Sequence, residues 1–145
     1  MHHRIPSDHR LDDVPMFTCC SRRQLDRIAR WGTEVRRCRG SVLARGGTVA
    51  SQVLVILEGD ADAVDRVQGE HLVAGDHVGG TEVVERLTHP RTVVAGTDVL
   101  LEVYSSTEFR TILHDVPEVA VGLHAVHVVD TTSEALPPLR LAPLA

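Results

Sequence analysis

The 145-residue sequence predicts a mainly β fold with flanking helices: an N-terminal helix, an antiparallel β-roll and then two C-terminal helices. Apolar residues recur with a period of two between Val35 and Tyr104. Turn signals, mostly glycines, interrupt this region at intervals of about eight to twelve residues, which is typical of a sandwich or barrel. Helical periodicity flanks the region on both sides. The chain is long enough for one domain with a core that needs no disulfide or metal.

Composition narrows the classes of function. The net charge of −5 argues against a nucleic-acid partner, and all 15 basic residues are arginine, which we attribute to a GC-rich, bacterial genome. Cys19, Cys20 and Cys38 follow no disulfide or zinc spacing, and we expect the adjacent pair to be small buried fillers. We find no signal peptide and no apolar run that could span a membrane. We therefore expect a cytoplasmic protein without a membrane partner.

The chain divides into three parts. Residues 1–10 are polar and rich in His and Arg, and we expect a flexible arm there. Residues 11–130 are predicted to form the folded domain. Residues 131–145 form a tail that is rich in Pro and Leu. Its prolines prevent it from continuing the preceding helix.

The first predicted helix has a signal at each end. Ser21 and Gln24 have the spacing of a capping box, and Gly32 suits the C-terminal stop. We expect Trp31 to pack this helix onto the domain. The apolar stripe between these ends consists of Leu25, Ile28 and Ala29.

The middle of the chain predicts six strands, and two helices follow them. The strands are 41–44, 52–59, 60–64, 70–75, 91–96 and 98–104. A short helical pattern follows the glycines at 79 and 80. Of the two later helices, the first is capped by Ser105 or Ser106, and the second has Pro117 in its first turn.

The last predicted helix is apolar on several sides and must be covered. Either it folds onto the β-roll or it packs against a partner, and the Leu-rich tail covers it or docks elsewhere. The candidate partner-interface residues are Val119, Leu123, Val126, Leu136, Leu139 and Leu141.

Several motifs, in their order along residues 11 to 128, resemble the cyclic-nucleotide-binding domain of catabolite-activator-type regulators and kinase regulatory subunits. "RGSVLARGG" resembles the family's G-x-x-L-x-x-x-G turn, and "GDHVGG" resembles the G-D-x-F-G-E that opens its phosphate-binding cassette. "TEFRTILHDVPEV" resembles the hinge helix. The resemblance implies a double-stranded β-helix, or cupin-like jelly roll.

The resemblance also implies a ligand site, from which this sequence departs. The family uses a Glu directly after "F-G" for the ribose hydroxyl and a later Arg for the cyclic phosphate, beside backbone N–H groups. In a gapless alignment Gly80 replaces the Glu and His89 replaces the Arg. A rival alignment, shifted by two residues, puts Arg91 at the second position, and Glu82 would repel a phosphate in either case. The degenerate-cassette candidates are Gly79, Gly80, Thr81, Glu82, His89, Arg91 and Thr92.

Two functions follow from these observations. The first is a non-enzymatic regulatory or interaction module without a cofactor. It would bind cyclic nucleotides weakly or not at all and act through another protein or a second copy. The alternative is a small-ligand sensor that binds cAMP or a related ligand through Arg91 and the cassette backbone. In the gapless alignment, His89 would either give weak, pH-dependent anion binding where the family uses a permanent cation or only cap the turn before Pro90.

Metal chemistry and catalysis have little support in the sequence. His114, His124 and His127 lie within one stretch, but no Cys or acidic cluster accompanies them, and we predict no metal site. No motif of a hydrolase, metalloprotease or nucleotide P-loop is present. A metal-dependent enzyme on a cupin-like roll is the most distant alternative. Asp60, Asp62 and Asp65 are expected to form a solvated face.

Overall fold

The computed structural model describes residues 11–65 and 69–124. A short 3-10 helix (Pro15–Phe17) precedes α1 (Arg22–Trp31), and α2 (Thr81–Glu85), α3 (Ser106–Asp115) and α4 (117–124) follow later in the chain. The eight strands are β1 (Thr33–Arg37), β2 (Val42–Ala44), β3 (Gln52–Glu58), β4 (Ala61–Val64), β5 (Gly69–Leu72), β6 (His77–Val78), β7 (Thr92–Ala95) and β8 (Val99–Ser105). The predicted mainly β fold with flanking helices is confirmed.

The strands form two antiparallel four-stranded sheets. One has the order β1-β8-β3-β6 and the other β2-β7-β4-β5. Side chains from both sheets, among them Leu54, Ala61, Val93 and Leu101, form one core cluster. The other face of the first sheet packs against the helices. The two sheets therefore make a roll with one face covered by helices.

Strand β3 shows why its sequence is apolar without alternation. Its five central residues are all buried. Leu54 and Ile56 belong to the cluster shared by both sheets, whereas Val53 and Val55 belong to the cluster shared with the helices. A strand covered on both faces has no solvent side to fill with polar residues.

Side-chain caps fix the starts of α1 and α3. Ser21 and Gln24 form the predicted reciprocal capping box. At α3, the Ser105 hydroxyl accepts from the Glu108 N–H at 3.1 Å, and the Glu108 carboxylate accepts from the Ser105 N–H at 2.8 Å. The structure therefore selects Ser105, and not Ser106, as the N-cap.

The structure departs from the sequence prediction at three strands. Neither β1 nor the two-residue β6 was predicted. The sequence of β1 is polar because this strand lies at a sheet edge, where it pairs with β8 alone among the described strands. β5 ends at Leu72 rather than at residue 75. The chain turns there because the Asp76 carboxylate accepts from the Val73 N–H at 2.8 Å and Gly75 takes a φ of +99°.

The cysteines also differ from expectation. Cys19 and Cys38 are exposed and Cys20 is half-buried, so the prediction of a buried pair was wrong. Partial burial raises the pKa of the Cys20 thiol to about 11, with a smaller contribution from Glu118. At neutral pH this thiol is therefore protonated and a poor nucleophile.

The proposed arm (1–10) and tail (131–145) lie outside the described residues, so the domain boundaries remain predictions. Within 11–65 and 69–124, no helix has the length and apolar character needed to cross a membrane.

Candidate functional site

The cassette begins with two glycines whose backbone conformations exclude other residues. Gly79 and Gly80 connect β6 to α2 with φ values of +98° and +91°. A Cβ on Gly79 would lie 2.7 Å from the Gln52 carbonyl oxygen in β3, which is closer than real Cβ atoms approach. Gly79 is therefore required by the close passage of the two backbone segments.

Gly80 lies under the C-terminal helix. Its φ and ψ of +91° and −109° are unfavourable for L-residues, and a Cβ there would lie 2.9 Å from Cδ1 of Leu123 in α4. A glutamate at this position would strain the backbone and displace Leu123. The local backbone therefore does not suit a glutamate at the position where the resemblance implies one.

The short helix α2 is held at both ends. The Gly80 carbonyl accepts from the N–H groups of Val83 and Val84, and Arg86 ends the helix in the left-handed conformation at a φ of +60°. The Arg110 guanidinium in α3 donates to the Val83 carbonyl at 3.0 Å. The position of the cassette helix is therefore tied to that of α3.

His89 lies beside an open cleft and is held by its backbone. Its N–H donates to the Thr48 carbonyl and its carbonyl accepts from the Gly47 N–H, both at 2.9 Å. Partial burial lowers the pKa of the imidazole, while the nearby Glu82 carboxylate opposes this shift. At neutral pH His89 is therefore uncharged and is a poor substitute for a permanent cation.

The cleft next to His89 has a volume of about 250 Å³. Its floor is apolar, from Val42, Ala44 and Leu54. Its rim includes polar side chains from the loop between β2 and β3 and the start of β3, namely Arg45, Thr48, Ser51 and Gln52. The arrangement could accommodate a small ligand with one apolar side.

Arg91 is engaged by two carboxylates. Its Nη1 lies 3.0 Å from the Glu70 carboxylate and its Nε 3.5 Å from that of Asp65, and its side chain is only 17% exposed. The next residue, Thr92, uses its hydroxyl to accept from the Gly46 N–H at 3.0 Å. The cation of the rival alignment is therefore already neutralised.

Sequence reasoning missed these carboxylates. Asp65 was expected with Asp60 and Asp62 on a solvated face, and no role was predicted for Glu70. The signal is the pairing of β4 with β5 and β7, because Val64 faces both Gly69 and Thr92. Asp65, Glu70 and Arg91 are adjacent in the chain to these three residues and therefore lie close together. The strand pairing that causes this cannot be read from the sequence.

The overall architecture agrees with solved structures, although no protein-family model and no curated protein matches the sequence. A catabolite activator protein from Thermus thermophilus superimposes with a TM-score of 0.81 at 16% identity, over 88% of this chain and 63% of that one. The second cyclic-nucleotide domain of a protein described as PKAR, bound to Sp-2Cl-cAMPS, gives 0.78 at 15% identity, over 94% and 90%. The fold is that of the cyclic-nucleotide-binding domain.

Proteins with this fold differ in their relation to cAMP. One similar structure is a regulatory subunit of a cAMP-independent protein kinase A from Trypanosoma brucei, with a TM-score of 0.71 and 23% identity over 90% of this chain and 47% of that one. The chain thus spans about half to two thirds of two of these proteins. At such identities the cyclic-nucleotide-binding fold is shared, but the ligand has to be argued from the site.

Only some of the partner-interface candidates can be placed on this cyclic-nucleotide-binding fold. Val119 is fully buried and Leu123 is 8% exposed, and both belong to the core beneath α4, whereas Val121 on the same helix is 60% exposed. Helix α4 therefore folds onto the roll, the first of the two arrangements considered. Val126, Leu136, Leu139 and Leu141 lie outside the described residues.

The histidines considered as metal ligands are not brought together where the structure describes them. The His114 imidazole is 88% exposed and lies 3.1 Å from the Asp115 carboxylate, and His124 is exposed. Within 11–65 and 69–124, no group of three or more His, Cys, Asp or Glu residues is arranged to hold a metal ion. His127 lies outside these ranges.

Proposed function

We propose that this chain is a regulatory or interaction module with the cyclic-nucleotide-binding fold whose cassette binds cyclic nucleotides weakly or not at all. It acts through protein–protein contacts of the C-terminal helix and the tail that follows. The partner is another protein or a second copy.

The observation that carries the proposal is the environment of Arg91. A cyclic phosphate buried in the cassette needs a cation to offset the loss of its hydration. The guanidinium instead faces the carboxylates of Glu70 and Asp65 at 3.0 and 3.5 Å. A phosphate would have to displace both carboxylates and would be repelled by them.

The other two cassette positions support the same conclusion. His89 is uncharged at neutral pH because partial burial lowers its pKa, and Gly80 offers no side-chain acceptor to a ribose hydroxyl. A hydrogen bond to a charged group contributes about 1.5–3 kcal/mol, so the loss of two weakens binding by roughly a hundred- to ten-thousand-fold.

Isothermal titration calorimetry with cAMP and cGMP tests the nucleotide part of the proposal. We expect no saturable heat at ligand concentrations of about 100 µM, for the wild type and for Arg91→Ala alike. Arg23→Ala serves as the matched control, since Arg23 is an exposed arginine on α1 that does not line the cleft. Binding tighter than about 10 µM that Arg91→Ala abolishes and Arg23→Ala retains would refute the proposal.

A second function, a small-ligand sensor, is favoured by the cleft. The 250 Å³ space beside His89 combines an apolar floor with hydroxyl and amide groups. If it serves a sensor, a panel of cyclic mono- and dinucleotides should give at least one ligand whose affinity falls in a His89→Ala variant. A panel without any such ligand favours the interaction module.

The contact part of the proposal has its own test. Light scattering and pull-down with the full chain and with a chain truncated after Asp130 should show a complex that the truncation weakens. Monomers in both forms, with no captured protein, would contradict it.

A further inference from the structure

The positive charge of this acidic chain is concentrated in one segment. Residues 22–39 contain seven arginines against two carboxylates, a net charge of +5, whereas the whole chain carries −5. The remainder therefore carries −10. All seven arginines are exposed, while the two carboxylates, Asp26 and Glu34, are half-buried. We use the term basic face for the surface that carries these arginines on α1, on the edge strand β1 and on the turn after it, with Arg36 and Arg37 on opposite sides of β1.

Several guanidinium groups of the basic face form no ion pair with a carboxylate of the described residues. Arg22 pairs with Asp12, and Arg27 lies 3.7 Å from the Asp115 carboxylate. Among the described residues, no carboxylate lies within ion-pair distance of four further guanidinium groups. These belong to Arg23, Arg30, Arg36 and Arg39. The face therefore has charge available for an acidic partner.

A complementary surface lies on the same chain. Five carboxylates cluster on β4, β5 and their flanking turns, and the described basic groups among them are Arg91 and His71. Arg66, between β4 and β5 in the sequence, lies outside the described residues. The carboxylates of this acidic ribbon belong to Asp60, Asp62, Asp65, Glu70 and Asp76. Asp62 and Glu70 are the most exposed to solvent, with side chains 54% and 60% exposed.

The two surfaces lie at opposite edges of the roll. β1 is at one edge of its sheet, and Arg37 in β1 donates to the Val42 carbonyl in β2 at 3.4 Å, so β1 and β2 share that side. β5 is at the far edge of the second sheet, next in sequence to β6 at the far edge of the first. One molecule therefore cannot pair its own basic face with its own acidic ribbon.

We propose that the basic face binds the acidic ribbon of a second copy of this chain. Opposite charges across such a contact speed association and fix its register, whereas like faces repel. A nucleic acid is less favoured, because the residues outside the basic segment carry −10 and would repel it. The contact is head-to-tail, so it produces rings or open chains of molecules rather than a two-fold dimer.

This inference shares Asp65 and Glu70 with the proposed nucleotide deficiency, since both carboxylates face Arg91, but its test is separate because association is measured without nucleotide. It predicts association that depends on salt. Analytical ultracentrifugation should show concentration-dependent oligomers at an ionic strength of about 0.02 M and their dissociation at about 0.5 M, where the Debye length is only a few ångströms. A monomer at low salt over the full concentration range would overturn the proposal.

Charge reversal identifies the surfaces. We expect Arg23→Glu/Arg30→Glu/Arg36→Glu and Asp62→Lys/Glu70→Lys each to be monomeric alone and to associate when mixed. Their self-association should weaken by roughly tenfold or more. Arg45→Glu, which reverses an exposed arginine outside the basic face, should behave as wild type. Association that survives both reversals, or a mixture that stays monomeric, would overturn the proposal. Identical melting curves show that the variants fold.

Discussion

At the scale of single residues, Gly80 decides what the cassette can hold. Its backbone conformation is one that L-residues avoid, and Leu123 lies where a Cβ would point. Reinstating a glutamate would therefore destabilise the fold before it could help a ligand. The absence of a side chain at residue 80 and closure by α4 are two aspects of the same local structure.

We predict that Gly80→Ala lowers the free energy of unfolding by about 1–3 kcal/mol, through backbone strain and displacement of Leu123. Gly40→Ala is the control, because Gly40 has a φ of +88° and a Cβ added there would meet no heavy atom within 4 Å. Urea unfolding followed by the fluorescence of Trp31 gives both values. Equal losses at the two sites would show that the Leu123 contact contributes nothing.

The lowered pKa of His89 predicts the sign of its contribution to the pH dependence of folding stability. Its pKa is lowered in the folded state, so the unfolded chain binds the proton more tightly, and stability falls as the pH drops from the unfolded value of about 6.5 through the folded one. We predict that His89→Gln reduces the loss of stability between about pH 7.5 and about pH 5.5. Urea unfolding at both values measures it.

His71 serves as a control, because its pKa shift and therefore its effect on the pH dependence of stability have the opposite sign. Its pKa is raised, chiefly by the hydrogen bond to Asp62, so the contribution it makes at low pH is lost as the pH rises through its folded pKa. His71→Gln should therefore steepen the loss on acidification. If His89→Gln steepens it as well, the assignment of His89 as a partly buried, neutral imidazole is wrong.

At the scale of secondary-structure elements, α4 is fixed by a close approach. A Cβ on Gly122 would overlap the Met16 carbonyl oxygen of the 3-10 helix, and that oxygen cannot move without the backbone. Glycine thus allows α4 to reach the core, where it covers Gly80.

Gly122→Ala should lower the unfolding free energy by about 1–3 kcal/mol, as overpacking does, although the same change in a free helix would stabilise it. Hydrogen exchange should show faster exchange in residues 117–124. Val121→Ala is the control on the same helix, since Val121 is 60% exposed. A stabilised Gly122→Ala variant would mean that α4 is not docked in this way.

The start of α3 offers a test between adjacent serines. Ser105→Ala removes the hydroxyl that caps the helix and should cost about 1 kcal/mol. Ser106→Ala should cost far less, because Ser106 is the first residue of the helix and not its cap. Comparable losses in thermal melts would contradict the assignment of the cap.

At the scale of the whole molecule, ligand binding would appear as added stability. A ligand at a hundred times its dissociation constant stabilises the folded state by about 2.7 kcal/mol, which shifts the melting temperature by several degrees. We predict no shift with cAMP at about 1 mM, which excludes a dissociation constant near 10 µM. A shift of several degrees that Arg91→Ala removes would favour the sensor.

Local signals in the sequence predicted much of the fold. The capping boxes, the glycine turns and the strands with apolar runs depend on residues close together in the chain, so β2, β3, β4, β7 and β8 were found near their observed positions. β1 was missed because an edge strand with charged residues carries no apolar alternation. The cassette substitutions at Gly80 and, in the gapless alignment, at His89 are also predictions from the sequence.

By itself, the sequence determined the fold class and the start of α1, and it predicted the loss of the family's ribose-binding glutamate, because each depends on residue type and short spacing. The tertiary structure alone decided that Arg91 meets Glu70 and Asp65, that burial leaves His89 uncharged, and that Leu123 covers Gly80. These depend on which distant strands and helices come together. Electrostatic and steric effects act over a few ångströms of space, whatever the separation along the chain.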